Sequence, residues 1–142
     1  MLSLLGKELK DDSIIELLED YDVDVIYAFD RFHENTPDVY WAAIRSIGVQ
    51  FRFNERQALS TIFCYIAARD GFKAVAEDVV GVPIYKSFQL AEQACLANAA
   101  AYEASPTKSW LKVLGKSHHV HYEFGDGVLS LVTLMLPKEM NS

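Results

Sequence analysis

The chain has 142 residues, of which 51% are apolar, 23% charged and 12% aromatic. These values suit one ordinary globular domain and exclude a disordered or fibrous chain. The formal charge is −7, from 20 acids and 13 bases, which argues against direct nucleic-acid binding through phosphate neutralisation. The excess is local. Residues 1–38 hold eleven acids and three bases, a net −8, whereas residues 39–142 are +1.

No apolar run approaches the roughly 20 residues needed to span a bilayer, and the charged Met1–Glu8 stretch does not read as a signal segment. A cytoplasmic protein with no membrane contact is expected. Cys64 and Cys95 lie far apart among apolar neighbours, outside any CxxC spacing, and read as buried free thiols.

In chain order, Ser13-Ile14-Ile15-Glu16 has the form of a capping box and predicts a helix to about Tyr21. Glu19, Asp20, Asp22 and Asp24 crowd the negative end of that helix, a locally unfavourable placement that points to a role outside it. Residues 23–29 read as a weak strand and residues 35–38 as a turn. Val39–Ile47 is rich in aromatic and branched residues. Val49, Phe51 and Phe53 alternate with polar residues, and Leu59–Ile66 follows after a polar turn, which predicts a three-strand antiparallel meander. Arg69-Asp70-Gly71 breaks the sheet.

A second helix is predicted from about Ser87, with Phe88, Ala91, Cys95, Ala99 and Tyr102 as one apolar stripe bounded by Pro106. Strands follow at Ser109–Leu114, around Val120, Tyr122 and Phe124, and at Val128–Leu136. Gly125-Asp126-Gly127 supplies a hairpin turn.

The two β stretches match. Trp41 corresponds to Trp110 at an offset of 69, Val49, Phe51 and Phe53 to Val120, Tyr122 and Phe124 at 71, and Leu59-Ser60 to Leu129-Ser130 at 70. The expected fold class is therefore α+β: two tandem helix-plus-three-stranded antiparallel meander units forming one domain. The first unit covers about 1–68, a connector 69–86, and the second unit 87–137.

Few residues suggest chemistry. His119, His121 and Glu123 fall on one face of a strand and could ligate a metal, which would make a metal-binding protein or metal-dependent enzyme. The same pattern arises when a buried apolar row alternates with a polar one, and that reading is preferred. Ser46, Ser60 and Ser130 lack a nucleophile elbow, and no glycine pattern cradles a nucleotide. Tyr40, Trp41, Phe51 and Phe53 read as core before they read as a ligand-stacking surface. Arg45, Arg52 and Arg56 read as a small solvated basic patch offset by neighbouring acids. No enzyme activity, catalytic residue, metal or cofactor is expected.

The Leu5-Gly6-Lys7 start, the Gly48–Phe53 and Leu59–Tyr65 strands, Asp70-Gly71-Phe72, Gly81-Val82-Pro83, Trp110, His121–Phe124 and Val128–Met135 carry a family resemblance. Together they resemble small bacterial immunity proteins encoded beside polymorphic toxins. The layout is also similar to that of the β-lactamase inhibitor protein and of BamE-like domains. The resemblance implies a binding protein that occludes the active site or substrate groove of a cognate protein toxin, and a basic nuclease domain is the partner an acidic surface suits. Glu19, Asp20, Asp22, Asp24 and Asp30 are the expected partner-facing residues. An envelope-assembly or chaperone-like adaptor is a third reading, which fits the layout but not the absence of a lipoprotein signal.

Overall fold

Strand-forming residues dominate the computed structural model, which describes residues 1–28 and 37–137. The strands are β1 (Ile26–Ala28), β2 (Val39–Ile44), β3 (Val49–Phe53), β4 (Leu59–Tyr65), β5 (Tyr102–Ala104), β6 (Trp110–Leu114), β7 (His119–Gly125) and β8 (Val128–Met135). The helices are α1 (Asp12–Asp20), α2 (Glu77–Val80) and α3 (Phe88–Ala97). All eight strands join one antiparallel sheet in the order β1-β2-β3-β4-β8-β7-β6-β5. The fold is α+β, as expected. The eight strands exceed the three expected per unit, because β1 and β5 each add a short outer strand.

Local chemistry explains the boundaries. Asp11, not Ser13, caps α1: its carboxylate accepts from the Ser13 backbone N–H at 3.0 Å and from the Ser13 hydroxyl at 2.6 Å. Those bonds hold the Asp11 carboxyl below its usual pKa. Ser87 caps α3, its hydroxyl accepting from the Leu90 N–H at 3.3 Å. The apolar stripe outruns that helix. Phe88, Ala91 and Cys95 are its buried residues, but Ala99 has φ +51° and Tyr102 already lies in β5.

The β region from Val39 likewise stops at Ile44, where a 3-10 turn, Arg45–Ile47, leads into Gly48 at φ +76°. A side chain at Gly48 would strike the Lys73 carbonyl, so the residue must be glycine for the connector to pack there.

The two central strands pair symmetrically. In β4–β8, Phe63 faces Thr133, with Thr61 opposite Met135 on one side and Tyr65 opposite Leu131 on the other. Each half carries the same irregularity. The register of β3 against β4 shifts between Arg52 and Phe53, and that of β7 against β8 between Glu123 and Phe124. At each shift a serine hydroxyl donates to a backbone carbonyl at 3.1 Å, Ser60 to Arg52 and Ser130 to Glu123.

Alternation sorts the sheet into two faces. One face buries Ala42, Ile44, Val49, Phe51, Ile62, Leu111, Tyr122, Val132 and Leu134 against Ile14 and Leu18 of α1 and Phe88, Ala91 and Cys95 of α3. The connector is tied to the same side, where the Tyr122 hydroxyl donates to the Pro83 carbonyl at 2.8 Å. Cys64 and Cys95 are buried free thiols, and burial pushes the Cys64 thiol up to about 12. Among the described residues no helix is long and apolar enough to cross a membrane.

Candidate functional site

Among the described residues, the second face of the sheet receives none of the helices. Its core-like cover there is a small cluster of Tyr65, Phe72 and Leu131, with Ala43 and Phe63 packed against it, formed where the 69–72 turn folds back. The rest is two rows of side chains, partly or fully exposed apart from the buried Thr133. Register places Ile26, Trp41, Arg52, Thr61, Met135, His119 and Leu114 across the sheet, and Ala43, Gln50, Phe63, Thr133, His121, Lys112 and Glu103 beside them. The four aromatic residues expected to form core are thereby divided. Phe51 and Phe53 are fully buried on the helix side and Tyr40 shares that side, whereas Trp41 stands half-buried on the open face.

Aromatic rings and guanidinium groups interlock on the β2–β4 half. Trp41 stacks on Phe63 with centroids 6.1 Å apart, and the Arg52 guanidinium lies 5.9 Å from the Trp41 ring centroid. Tyr65 packs on Phe72 at 4.3 Å. Arg69 lies 5.1 Å from the Tyr65 ring and Arg45 5.1 Å from the Phe72 ring. The Tyr65 hydroxyl donates to Gln50 Oε1 at 3.0 Å.

Among the described residues none of these three arginines has a carboxylate partner. The ion pairs among the described residues are Lys7–Asp11 at 3.8 Å and Lys10–Glu8 at 3.2 Å, both on exposed side chains. The acids that neighbour Arg45 are Asp22 and Asp24, which share a cleft with it without forming an ion pair. Arg56 sits apart, exposed in the turn after β3.

On the β6–β7 half, Trp110 stacks on His121 at 5.3 Å and faces Glu123 across the strands. Burial holds the His121 pKa below its usual value, with the Lys112 charge adding to that effect and the Glu123 carboxylate opposing it. His119, His121 and Glu123 do share this face. However, the outer two are four residues apart along an extended strand, about 13 Å by strand rise. The middle ring is taken up by Trp110. Among the described residues no group of three or more His, Cys, Asp or Glu is placed to hold a metal ion.

The acidic segment borders the open face. An open cleft of about 430 Å³ brings Asp22 and Asp24 together with Ile26, Trp41, Arg45 and Gln50. The β1–β2 pairing causes this, because Ile26 lies opposite Trp41 and carries residues 22–24 to the sheet edge. Glu19 and Asp20 are exposed in the last turn of α1, where no basic residue balances them. Asp30 lies outside the described residues. Thus four of the five expected partner-facing acids are solvent-facing, and two are placed beside Trp41. Sequence reasoning missed the arginine–aromatic pairs, since Trp41 and Arg52 meet only through strand register.

No family model, curated protein or solved structure matches this chain.

Proposed function

We propose that this chain is a non-enzymatic binding protein that neutralises a cognate protein toxin, acting as a cytoplasmic immunity protein. The open sheet face lies over the toxin's active site or substrate groove, and the acidic edge at Glu19, Asp20, Asp22 and Asp24 steers a basic partner, such as a nuclease domain, onto it. One observation carries this reading. Among the described residues, a sheet face without helices holds Trp41, Phe63, Trp110 and three arginines, and its β2 edge brings Trp41 and Arg45 into one cleft with Asp22 and Asp24. Tryptophan, tyrosine and arginine are the residues that dominate binding energy at protein interfaces. Charges at the rim of such a surface chiefly set the association rate.

The same reading includes a duplicated fold, two helix-plus-meander units fused in one sheet. Four features support it: matching tryptophans, matching register shifts, matching serine-to-carbonyl bonds, and a central pair, Phe63 and Thr133, separated by the 70-residue repeat offset. Duplication accounts for two tryptophans standing at matching places on the face.

Charge reversal at Asp20, Asp22 and Asp24 tests the steering. Association with the toxin at low salt should slow by roughly tenfold and lose most of its salt dependence, with the fold intact. An unchanged low-salt association rate would remove these residues from the interface.

A further inference from the structure

The acidic edge addresses a basic partner, but the floor beside it has the opposite sign. Arg52, Arg45 and Arg69 each lie against a ring of the connected Trp41–Phe63 and Tyr65–Phe72 pairs. Arg45 and Arg69 are exposed and Arg52 half-buried, and among the described residues no carboxylate pairs with any of them. Even Asp22 and Asp24, which share a cleft with Arg45, form no ion pair with it. A guanidinium laid on an aromatic ring has surrendered much of its rotamer freedom while keeping its outward N–H donors. Such a group is prepared to grip a planar oxyanion in bidentate fashion.

We propose that this half of the open face reads a carboxylate-bearing segment of the protein partner, an Asp or Glu side chain flanked by apolar residues. The arginines take the carboxylate, and Trp41 and Phe63 take the apolar flank. This rests on the reading of the open face as the docking surface. A nucleic-acid backbone would bring a line of phosphates against Asp22 and Asp24 and a chain of net charge −7, whereas a single carboxylate needs only the local arginines. The partner therefore presents an acidic protrusion set in a basic surface, a charge pattern that fixes its orientation on the sheet.

Nitrogen-15 NMR of the whole protein tests this with two peptides, N-acetyl-Ala-Leu-Glu-Leu-Ala amide and N-acetyl hexalysine amide. The single-glutamate peptide should shift the Nε–H signals of Arg45, Arg52 and Arg69 and the indole N–H of Trp41, leaving the Trp110 indole unmoved. The Arg45→Ala/Arg52→Ala variant should bind it about tenfold more weakly, and Arg52→Lys, which keeps the charge without the planar fork, should fall between. Hexalysine should instead shift the backbone signals of residues 19–24. Three results would overturn the inference: the single-glutamate peptide moves none of the three guanidinium signals, the variant binds it as well as the wild type, or a hexathymidine oligonucleotide binds more tightly at the same arginines. If the single-glutamate peptide alone fails, the acidic-edge reading stands. If hexalysine alone fails, that reading falls and the carboxylate site stands.

Discussion

Trp41 and Trp110 occupy matching places in the two halves of one sheet, yet opposite charges face them. Arg52 lies across from Trp41 and Glu123 across from Trp110. Trp41 stacks on Phe63 of a strand two away, and Trp110 on His121 of its immediate neighbour. Behind these differences each half has one register shift with a serine bond at it. The helix-side rows are constrained by burial, because a one-residue slip would turn every apolar side chain into water. The open-face rows carry no such constraint, so their side chains are free to differ between halves. Two similar frames thus present one arginine-rich surface and one mixed surface containing histidine, lysine and glutamate.

The largest contrast should come from the core. Phe51 and Tyr122 correspond, but Phe51 is fully enclosed, whereas Tyr122 also spends its hydroxyl on the Pro83 carbonyl. Phe51→Ala should cost about 3–5 kcal/mol in urea unfolding, and Tyr122→Phe about 1 kcal/mol. On the open face, Arg52→Glu should weaken partner binding by about tenfold or more, while Glu123→Arg should change it far less. Isothermal titration with the partner separates the two, and equal losses would erase the distinction between the halves.

Smaller effects are expected at the register shifts. Ser60 is fully buried and Ser130 is not. Ser60→Ala should cost about 1 kcal/mol and Ser130→Ala less, compared by thermal unfolding. The smallest effect is a pH slope confined to the second half. Because burial lowers the His121 pKa, the unfolded chain binds more protons than the folded one between the depressed value and the ordinary value near 6.5. Stability contributed by neutral His121 is therefore fully present above about pH 6.5 and is lost as pH falls toward the folded pKa. His121→Asn should flatten that slope in unfolding measured from pH 7.5 to 5, whereas Gln50, the matching residue on β3, has nothing to titrate.

Much of the fold is legible in the sequence where one face is buried. The alternations of β3 and β7, the start of α3 near Ser87 and the Gly125-Asp126-Gly127 turn all act through neighbours in the chain. The failures have equally local causes. Ala99 and Tyr102 continue a helical spacing past the true end of α3 because apolar residues serve a strand as well as a helix. β1 is exposed on every residue, so the strand expected over residues 23–29 was legible only weakly, and its true extent is three residues. Asp11 outcompetes Ser13 as a cap because its carboxylate takes both the Ser13 N–H and hydroxyl. The site was legible only as an acidic segment. Its junction with Trp41, and the seating of Arg52 on that ring, depend on strand pairings that no single segment reveals.

The central claim is that the open sheet face, with a tryptophan in each half, holds a protein toxin. Its most direct test is protection of cells that express the proposed partner toxin. Wild-type protein and a folded Trp41→Ala/Trp110→Ala variant are compared at equal abundance, with circular dichroism confirming the fold. The account predicts that wild type protects, and that the variant fails to protect and no longer co-purifies with the toxin. Full protection by the variant would contradict it.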